Sequence, residues 1–498
     1  MIRTPEKLVK FINAEAFYFS LVLIAILCNT SFGQSITWQR TYDGPAHYND
    51  KAYSLTPADG NNFYAVGSTV ISGYYHYILK LNEFGDTLWT RSIQLNPGFG
   101  DFSYSSVSDG LGGVVVTGFN DTSYTMRIDK NGNIVWYKNY NTISATCYSI
   151  IKKNDGGYIS CGFKLSSDYY GYVLNIDSSG NLLWQRQYPS TELRIYNDLI
   201  ENSDGFYLTG VITDAIIDTN HALLTKIDFF GDVQWEKRYT IFGKDGNGQK
   251  IKRLNGKIFI AGTTTDSVLP EARGYFMILD TNGNEISTKV FQATKGEILH
   301  DMLILNENRL LFILTRDSSF YISTSRVIVT DLSGNIVNEK HFIPPQNEGD
   351  IHLVAGMKTS NGDLIFAGNS YIDTNATSED VFVARTDSML YVPPLAIINS
   401  NSQIPKTFEI SEPYPNPFNP TTTIKFEIPR DANVFIKIYD LLGREVFSVS
   451  EYKQAGSYEM IFDGSNLASG LYFYSLEASP STGSGRGYFE TKKMVLIK

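Results

Sequence analysis

The residues of this chain with the most capacity for chemistry recur along it instead of gathering at one place. Three segments, Asp129-Lys-Asn131-Gly132-Asn133-Ile-Val-Trp136, Asp177-Ser-Ser-Gly180-Asn-Leu-Leu-Trp184 and Asp228-Phe-Phe-Gly231-Asp-Val-Gln-Trp235, place Asp, Gly, an Asn or Asp, and Trp at one spacing. Residues 82–89 vary it with Asn first, and the segments opening at Asp280 and Asp331 keep Asp and Gly but lose Trp. Oxygen-bearing side chains at this spacing, as in Asp129-Lys-Asn131-Gly-Asn133, are ligands of the kind that open a calcium loop. No bidentate acid follows at the distance such a loop requires, and tight turns select the same residues for conformation alone. A turn is therefore expected, and no metal is assigned.

Other reactive groups are dispersed. The histidines His47, His76, His221, His300, His341 and His352 fall in different parts of the chain, and H-E-x-x-H, G-x-S-x-G and P-loop patterns are missing. No catalytic residue and no cofactor is assigned, which leaves one enzymatic route open: carboxylates from separate segments converging in a channel, as in glycoside hydrolysis. Cys147 and Cys161 flank a hairpin whose turn is Asn154–Gly157. A disulfide and two buried thiols are both open readings for them, since the required Cβ geometry is not legible. As a zinc site the pair lacks two ligands. Tyr74, Tyr75, Tyr77, Tyr169 and Tyr170 stand near two loops and could stack on sugars or peptides, although β propensity alone also selects tyrosine.

The elements that must carry these residues follow from composition. The 498 residues include 32 Tyr, 30 Phe and 41 Gly, which favours strands and tight turns over helices, so the fold class is all-β. Charged residues are 19% of the chain against 42% hydrophobic, enough for a large core. A formal net charge of −10 excludes the basic field that nucleic-acid or anionic-membrane binding uses.

The glycines of the repeated segment lie at 85, 132, 180, 231, 283 and 334, a period of 47 to 52 residues. Midway between them, Asp-Gly or Asn-Gly turns at 59, 109, 155, 204, 255 and 361 lead into apolar runs containing Gly67, Gly118, Gly162, Gly210, Gly262 and Gly368. One degenerate unit has Asn306-Glu-Asn308 at the turn and Leu314 in place of the strand glycine, and counting it gives seven units. Each unit reads as four strands; in the third they are 147–152, 158–163, 172–177 and 182–188. A strand glycine marks a bulge or a close backbone approach, and the Trp side chains are expected between adjacent sheets. Sheets of this size cover both faces only by stacking around an axis, as in a β-propeller.

The ends of the array match. Trp38 begins a strand with no unit before it, while the last unit, 351–387, stops without a glycine turn or Trp strand. The expectation is a seven-bladed β-propeller over residues 34–390, with the N-terminal strand 35–42 pairing beside 381–386 to close it. The repeat resembles the propeller repeats of many exported bacterial proteins over about residues 35–390. It is also similar to the tryptophan-docking repeat of quinoprotein dehydrogenases, one residue shorter and without the threonine before glycine; that likeness implies that Trp docks blades. Ligand contact is expected on the unequal loops 70–75, 120–123, 165–171, 213–221, 263–273, 316–320 and 371–380.

Both ends of the chain carry addresses. Arg3, Lys7 and Lys10 precede an apolar run at 17–27 and the small residues Ser31 and Gly33, the layout of a signal peptide (1–33) cleaved between Gly33 and Gln34. The run is shorter than the ~20 residues that span a bilayer, and no transmembrane segment is expected. A lipidated Cys28 would need a small residue before it, and Leu27 is bulky. A Pro-, Asn- and Ser-rich linker, 391–407, leads to a module at 408–498 whose period-two positions suggest a small β-sandwich.

Within that module stand Pro415-Asn416-Pro417-Phe-Asn-Pro420, Asp440-Leu-Leu-Gly443-Arg-Glu-Val446, Leu467-Ala-Ser-Gly470-Leu471-Tyr472 and the closing Lys492-Lys493-Met-Val-Leu-Ile-Lys498. Together they resemble a type A sorting domain of the bacterial type IX secretion system, with a Gly/Ser-rich insertion at 481–487. The resemblance implies export through the periplasm by the type IX machinery and a place in the medium or on the outer cell surface. A secreted or surface propeller acting by binding, as an adhesin or scaffold for an extracellular glycan or protein ligand, is the expected function. The alternative is a propeller hydrolase or lyase acting on extracellular polysaccharide.

Overall fold

The computed structural model describes residues 37–392 and 407–497, apart from 47, 96–99, 141–143, 166–168, 190–191, 215–218, 244, 266–270, 293–295, 317–323, 344–348, 372–377, 431, 454–455, 465–466 and 481–487. Gly33 and Gln34, the centre of the linker, the 481–487 insertion, Lys498 and parts of five rim loops lie outside the described residues. Two compact units divide at Leu395 and Ala396. No helix among the described residues is long and apolar enough to cross a membrane.

The fold is all-β, and in the N-terminal unit its building block is an antiparallel sheet of four strands taken in chain order, as in propeller blades. Asp50–Pro57, Phe63–Val70, Tyr74–Leu81 and Thr87–Ile93 make the first sheet; Ala145–Lys152, Tyr158–Leu165, Tyr169–Ile176 and Leu182–Tyr188 make the third. Equivalent sheets occupy 101–139, 193–239, 245–290 and 297–342. The two middle strands of each sheet are buried on both faces and read as near-continuous apolar runs, as in Phe63–Val70. Outer strands such as Leu182–Tyr188 are largely exposed, and the charged Arg186 within this one blunts its free edge.

The seventh sheet is assembled from both ends of the unit. Asp350–Lys358, Leu364–Tyr371 and Asp380–Thr386 are joined by Trp38–Tyr42, which pairs antiparallel in the register Trp38 to Arg385 and Tyr42 to Val381. The first strand of the chain thus supplies the outer strand of its last sheet. Residues 35–36, expected in that strand, lie outside the described residues.

Seven sheets share seven cores, each made by two neighbours. Val66 and Ile78 of the first sheet pack with Val116 and Met126 of the second, and Leu311 and Val327 of the sixth pack with Leu353 and Phe366 of the seventh. Trp38, Ala367 and Val383 of the seventh pack with Phe63, Ala65 and Leu79 of the first. The circuit therefore closes, and no sheet keeps an uncovered apolar face. At ~1.5–3 kcal/mol for each large apolar side chain withdrawn from water, this shared burial is the dominant stabilising term. The first strands of successive sheets meet around the whole circuit, which places them at the axis.

Two details depart from expectation. The last unit does carry the repeated turn: the Asp387 carboxylate accepts the amides of Met389 and Tyr391, and Leu390 takes the glycine position at φ 63°. Leu390 and Val392 are buried in the core between the sixth and seventh sheets, so the unit runs past the expected boundary at 390. In the fifth sheet the first strand is interrupted, with Asp245–Gly246 and Lys250–Leu254 both pairing with Lys257–Thr265.

In the C-terminal unit, Glu409–Ile410, Thr421–Ile428 and Gly456–Asp463 form one sheet, and Glu445–Lys453, Ala432–Tyr439, Gly470–Pro480 and Tyr488–Leu496 form another. Alternate residues of both sheets, including Ile424, Phe426, Ile436, Ile438, Tyr474 and Leu476, share one core.

Candidate functional site

The repeated turn is a self-satisfied structure. Asp129 Oδ1 accepts the amides of Asn131 and Asn133 at 2.9 and 2.8 Å while Oδ2 accepts the Asn133 side chain at 3.1 Å. Asp177, Asp280 and Asp331 repeat this pattern. The backbone and side chain of Asn133, donating to the carboxylate, hold the Asp129 pKa below the usual carboxylate range. These oxygens are spent on the turn, in agreement with the turn reading.

Each turn is gripped by the outer strand of the preceding sheet. Trp38, Trp89 and Trp184 donate their indole N–H to the carbonyls of Glu83, Lys130 and Phe229 in the next turn at 2.9, 3.0 and 2.9 Å. Four residues after Trp, the hydroxyls of Tyr42, Tyr140, Tyr188 and Tyr239 donate to the carbonyls of Gly85, Gly180, Gly231 and Gly283 at 2.7 to 2.9 Å. Two residues after Trp stands a cation in every unit: Arg40 pairs with Asp86 at 2.8 Å, and Lys237 donates to Asn284 at 2.7 Å. A Cβ at Gly180 would lie 2.8 Å from the Trp136 ring, so the glycine serves both its φ of 79° and this contact. The pattern [WSN]-x-[RK]-x-[YFI] in the sequence is the signal of this latch, beyond the Trp alone.

The inner strands share a second device. β-bulges fall between Ala52 and Ser54, Ser103 and Ser105, Cys147 and Ser149, Tyr196 and Asp198, Leu299 and Asp301, and Leu353 and Ala355. Opposite five of them lie strand glycines, and opposite the one at Leu299 lies Leu314: a Cβ at Gly67 would fall 1.8 Å from the Lys51 carbonyl oxygen, the close backbone approach expected from sequence. Residues after the bulge stitch neighbouring sheets together. Ser149 donates to Asp198 at 2.8 Å, Asp198 accepts the Ile251 amide at 3.0 Å, and Asp301 accepts the Gly356 amide at 3.0 Å.

The bulged residues give the axis two unlike walls. Tyr53, Tyr104 and Tyr148 of the first three sheets touch in series, with ring centroids 5.6 and 5.3 Å apart. The series continues through Phe163 to Tyr169 at 5.6 and 5.2 Å, and through Phe102 to Tyr74 at 6.0 and 4.7 Å. Tyr74 and Tyr169, at the mouths of two rim loops, are 45% and 38% exposed. Of the five tyrosines singled out from sequence, these two join the band, whereas Tyr77 is buried between sheets.

The opposite wall is ionic. Lys250 lies 3.9 Å from Asp301, and Lys252 lies 3.7 Å from Asp198. Burial alone would raise the Asp198 pKa, but Lys252, Lys250 and the Ile251 amide together leave it below the usual range. Burial pushes the nearby His300 down to about 4.

Three further clusters resolve. His76 Nδ1 lies 3.0 Å from Ser103 Oγ and 3.2 Å from the Tyr124 hydroxyl, and His76 Nε2 lies 3.7 Å from Asp101. These are the residue types of a nucleophile relay, yet all four side chains are fully buried and burial drops the His76 pKa to about 3. They are interior packing. Cys147 and Cys161 are free thiols: Cys147 faces the core shared with the second sheet and Cys161 the core shared with the fourth. The bulge offsets their register, Cys147 opposing Gly162 and Cys161 opposing Ser149. The disulfide reading is thereby corrected, and burial pushes the Cys147 thiol up to about 12. Asp43, Asp50 and Asp380 bring one carboxylate oxygen each within 4.8 Å of one another.

In the C-terminal unit the quoted motifs are structural parts. Phe418 is buried, its amide donates to the Val495 carbonyl at 2.9 Å, and Asn416 accepts the Val495 amide at 2.9 Å, which ties the Pro415-Asn416-Pro417 segment to the last strand. Asp440 and Gly443 build the same turn as the propeller repeat, with Arg444 donating to Asp440 at 2.7 Å. The Tyr472 hydroxyl donates to the Ala468 carbonyl at 2.7 Å, beside an exposed Gly470 and a half-buried Leu471. Met494 is buried, while Lys493 is exposed and Lys492 lies 3.8 Å from Glu490.

Comparison with known proteins adds one assignment. Residues 412–486 match the family model of the secretion system C-terminal sorting domain. No curated protein matches the chain. A solved structure of a protein of unknown function from Bacteroides caccae is similar over 56% of this chain and 93% of its own, with 10% identity and a TM-score of 0.37. The sorting domain marks the chain for export to the cell surface or medium and implies contact with the type IX secretion machinery.

Proposed function

We propose that the chain is a secreted or surface-displayed propeller protein that acts by binding, with the sorting domain at 408–498 as its export address and residues 1–33 as a signal peptide cleaved between Gly33 and Gln34. One observation supports the binding role: the latches and cores repeat around the circuit, whereas among the described residues the inner strands carry a continuous aromatic band at the first three sheets. Aromatic surface left partly in water at a concave mouth is the usual material of a recognition site. The chain then works as an adhesin or scaffold for extracellular material.

Export is tested by deleting 408–498, which is expected to leave the protein in the periplasm; unchanged surface display overturns it. N-terminal sequencing of the secreted protein is expected to find position 34. Binding is tested by adsorption of the labelled full chain to extracellular polymer from the producing cells. Retention is expected to fall in Tyr104→Ala and to stay in Tyr188→Phe at the outer rim; equal retention in both overturns the reading.

A further inference from the structure

The two walls of the channel differ in what they offer a ligand, and the difference narrows its class. Among the described residues of the ionic wall, Lys250 lies 3.9 Å from Asp301, Lys252 lies 3.7 Å from Asp198 and, at the rim, Lys51 lies 2.6 Å from Glu379, so each of these cations has a carboxylate. Compensated pairs present donors and acceptors in fixed directions without a net field, so they do not select a charged guest. The aromatic wall presents flat ring faces, and burial raises the pKa of Tyr53, Tyr104 and Tyr148, keeping their hydroxyls protonated as donors.

A guest that suits both walls has apolar C–H faces on one side, many uncharged hydroxyls on the other and no net charge. We propose that the channel mouth binds a neutral glycan chain, with sugar faces stacked on Tyr104 and Tyr148 and hydroxyl groups directed to the partly exposed Lys250 and Lys252. Tyr74 and Tyr169 extend the stacking surface toward the rim, 4.7 and 5.2 Å from their nearest band rings, so the site takes a chain in preference to a single sugar. The inference rests on the binding role proposed above and adds the ligand class.

The test is calorimetric titration of the purified full chain with neutral hexasaccharides (gluco-, manno- and xylo-oligosaccharides), with oligogalacturonate as the acidic probe and a proline-rich peptide as the protein-like one. At least one neutral hexasaccharide is expected to bind more tightly than either other probe. Tyr104→Ala and Tyr148→Ala should each weaken it about tenfold or more, a loss of ~1.4 kcal/mol per decade. Tyr104→Phe, which keeps the ring, should stay within about threefold, and Tyr188→Phe should leave affinity unchanged. Near-ultraviolet circular dichroism checks that the variants are folded. Preference for the acidic or peptide probe, no neutral glycan binding, or affinity indifferent to both alanine variants overturns the glycan assignment. If adsorption to extracellular polymer still depends on Tyr104 in that case, the binding role stands and only the ligand class has failed.

Discussion

At the outer rim four of the seven outer strands offer the neighbouring sheet Trp, a cation and Tyr at one spacing, as in Trp38, Arg40 and Tyr42 of the closing strand and Trp184, Arg186 and Tyr188 of the third sheet. At the axis the corresponding bulge positions read Tyr53, Tyr104, Tyr148, Asn197, His300 and Val354. Both sets occupy equivalent places in equivalent strands. The first set is the better kept, with a cation in all seven outer strands and Trp in five of them, because it contacts something that also repeats, the next sheet's turn. The second meets only the equally varied inner strands of its neighbours, as where Tyr104 touches Tyr53 and Tyr148 and Asn197 donates to the Gly248 carbonyl, so no repeating partner holds it uniform. The sorting domain supplies a control: Asp440-Leu-Leu-Gly443 builds the same turn, with Gly443 at φ 75°. No side chain crowds that glycine, and Leu441 and Leu442 are 68% and 78% exposed. The turn is local chemistry, and the latch needs the tryptophan strand of another sheet.

This contrast predicts a graded set of effects. Trp38→Ala should be the most damaging, at ~3–5 kcal/mol of unfolding free energy, because Trp38 is buried at the ring's seam and stacks on Phe63 at 6.3 Å. Denaturant titration should show a smaller loss for the half-buried Trp184→Ala, and equal losses would break the distinction between closing and internal latches. Next comes acid lability from the sealed interface of the first two sheets. His76 stays neutral in the fold down to about pH 3, whereas in the unfolded chain it binds a proton below about pH 6.5. The unfolded state therefore holds more protons in that window, and stability falls as pH drops from 6.5, by up to ~1.4 kcal/mol per pH unit. Melting curves from pH 7 to 4 should be flatter for His76→Gln than for the parent chain. An unchanged slope would show that His76 titrates in the fold.

Smaller effects separate the two rims further. Tyr188→Phe removes one buried hydroxyl-to-carbonyl bond of the latch, worth ~1 kcal/mol, while Tyr104→Phe should cost less because its hydroxyl is not part of the latch. Substituting Tyr169, exposed at the rim, with Ser should move stability by no more than ~0.5 kcal/mol while weakening ligand retention. A large stability loss there would mean that the band is core and not a site.

How much was legible in the sequence follows the same division. The repeat, the four-stranded unit, the strand glycines opposite close backbone and the swapped closing strand were all readable, because each is enforced by a recurring contact and leaves a recurring residue. The turn at Leu390 is hidden in the sequence because leucine stands where the repeat has glycine: the Asp387 carboxylate holds the turn, and burial of the leucine side chain offsets its positive φ. Cys147 and Cys161 stayed open because their pairing depends on one extra residue in the inner strand, which shifts their register and turns them to different cores. The aromatic band was half visible. Tyr74 and Tyr169 stood near loops, but their continuity with Tyr104 and Tyr148 depends on three sheets meeting at an axis, which spacing along the chain does not encode.

The most direct test of the central claim, a ring of sheets latched in series with its first strand locking its last, is native-state hydrogen exchange. The amides of Trp38–Tyr42 that bond to the Val381–Arg385 strand should exchange as slowly as those of Leu182–Tyr188 and lose protection in the same denaturant step. Exchange of Trp38–Tyr42 at the rate of an open chain, while Leu182–Tyr188 stays protected, would contradict it.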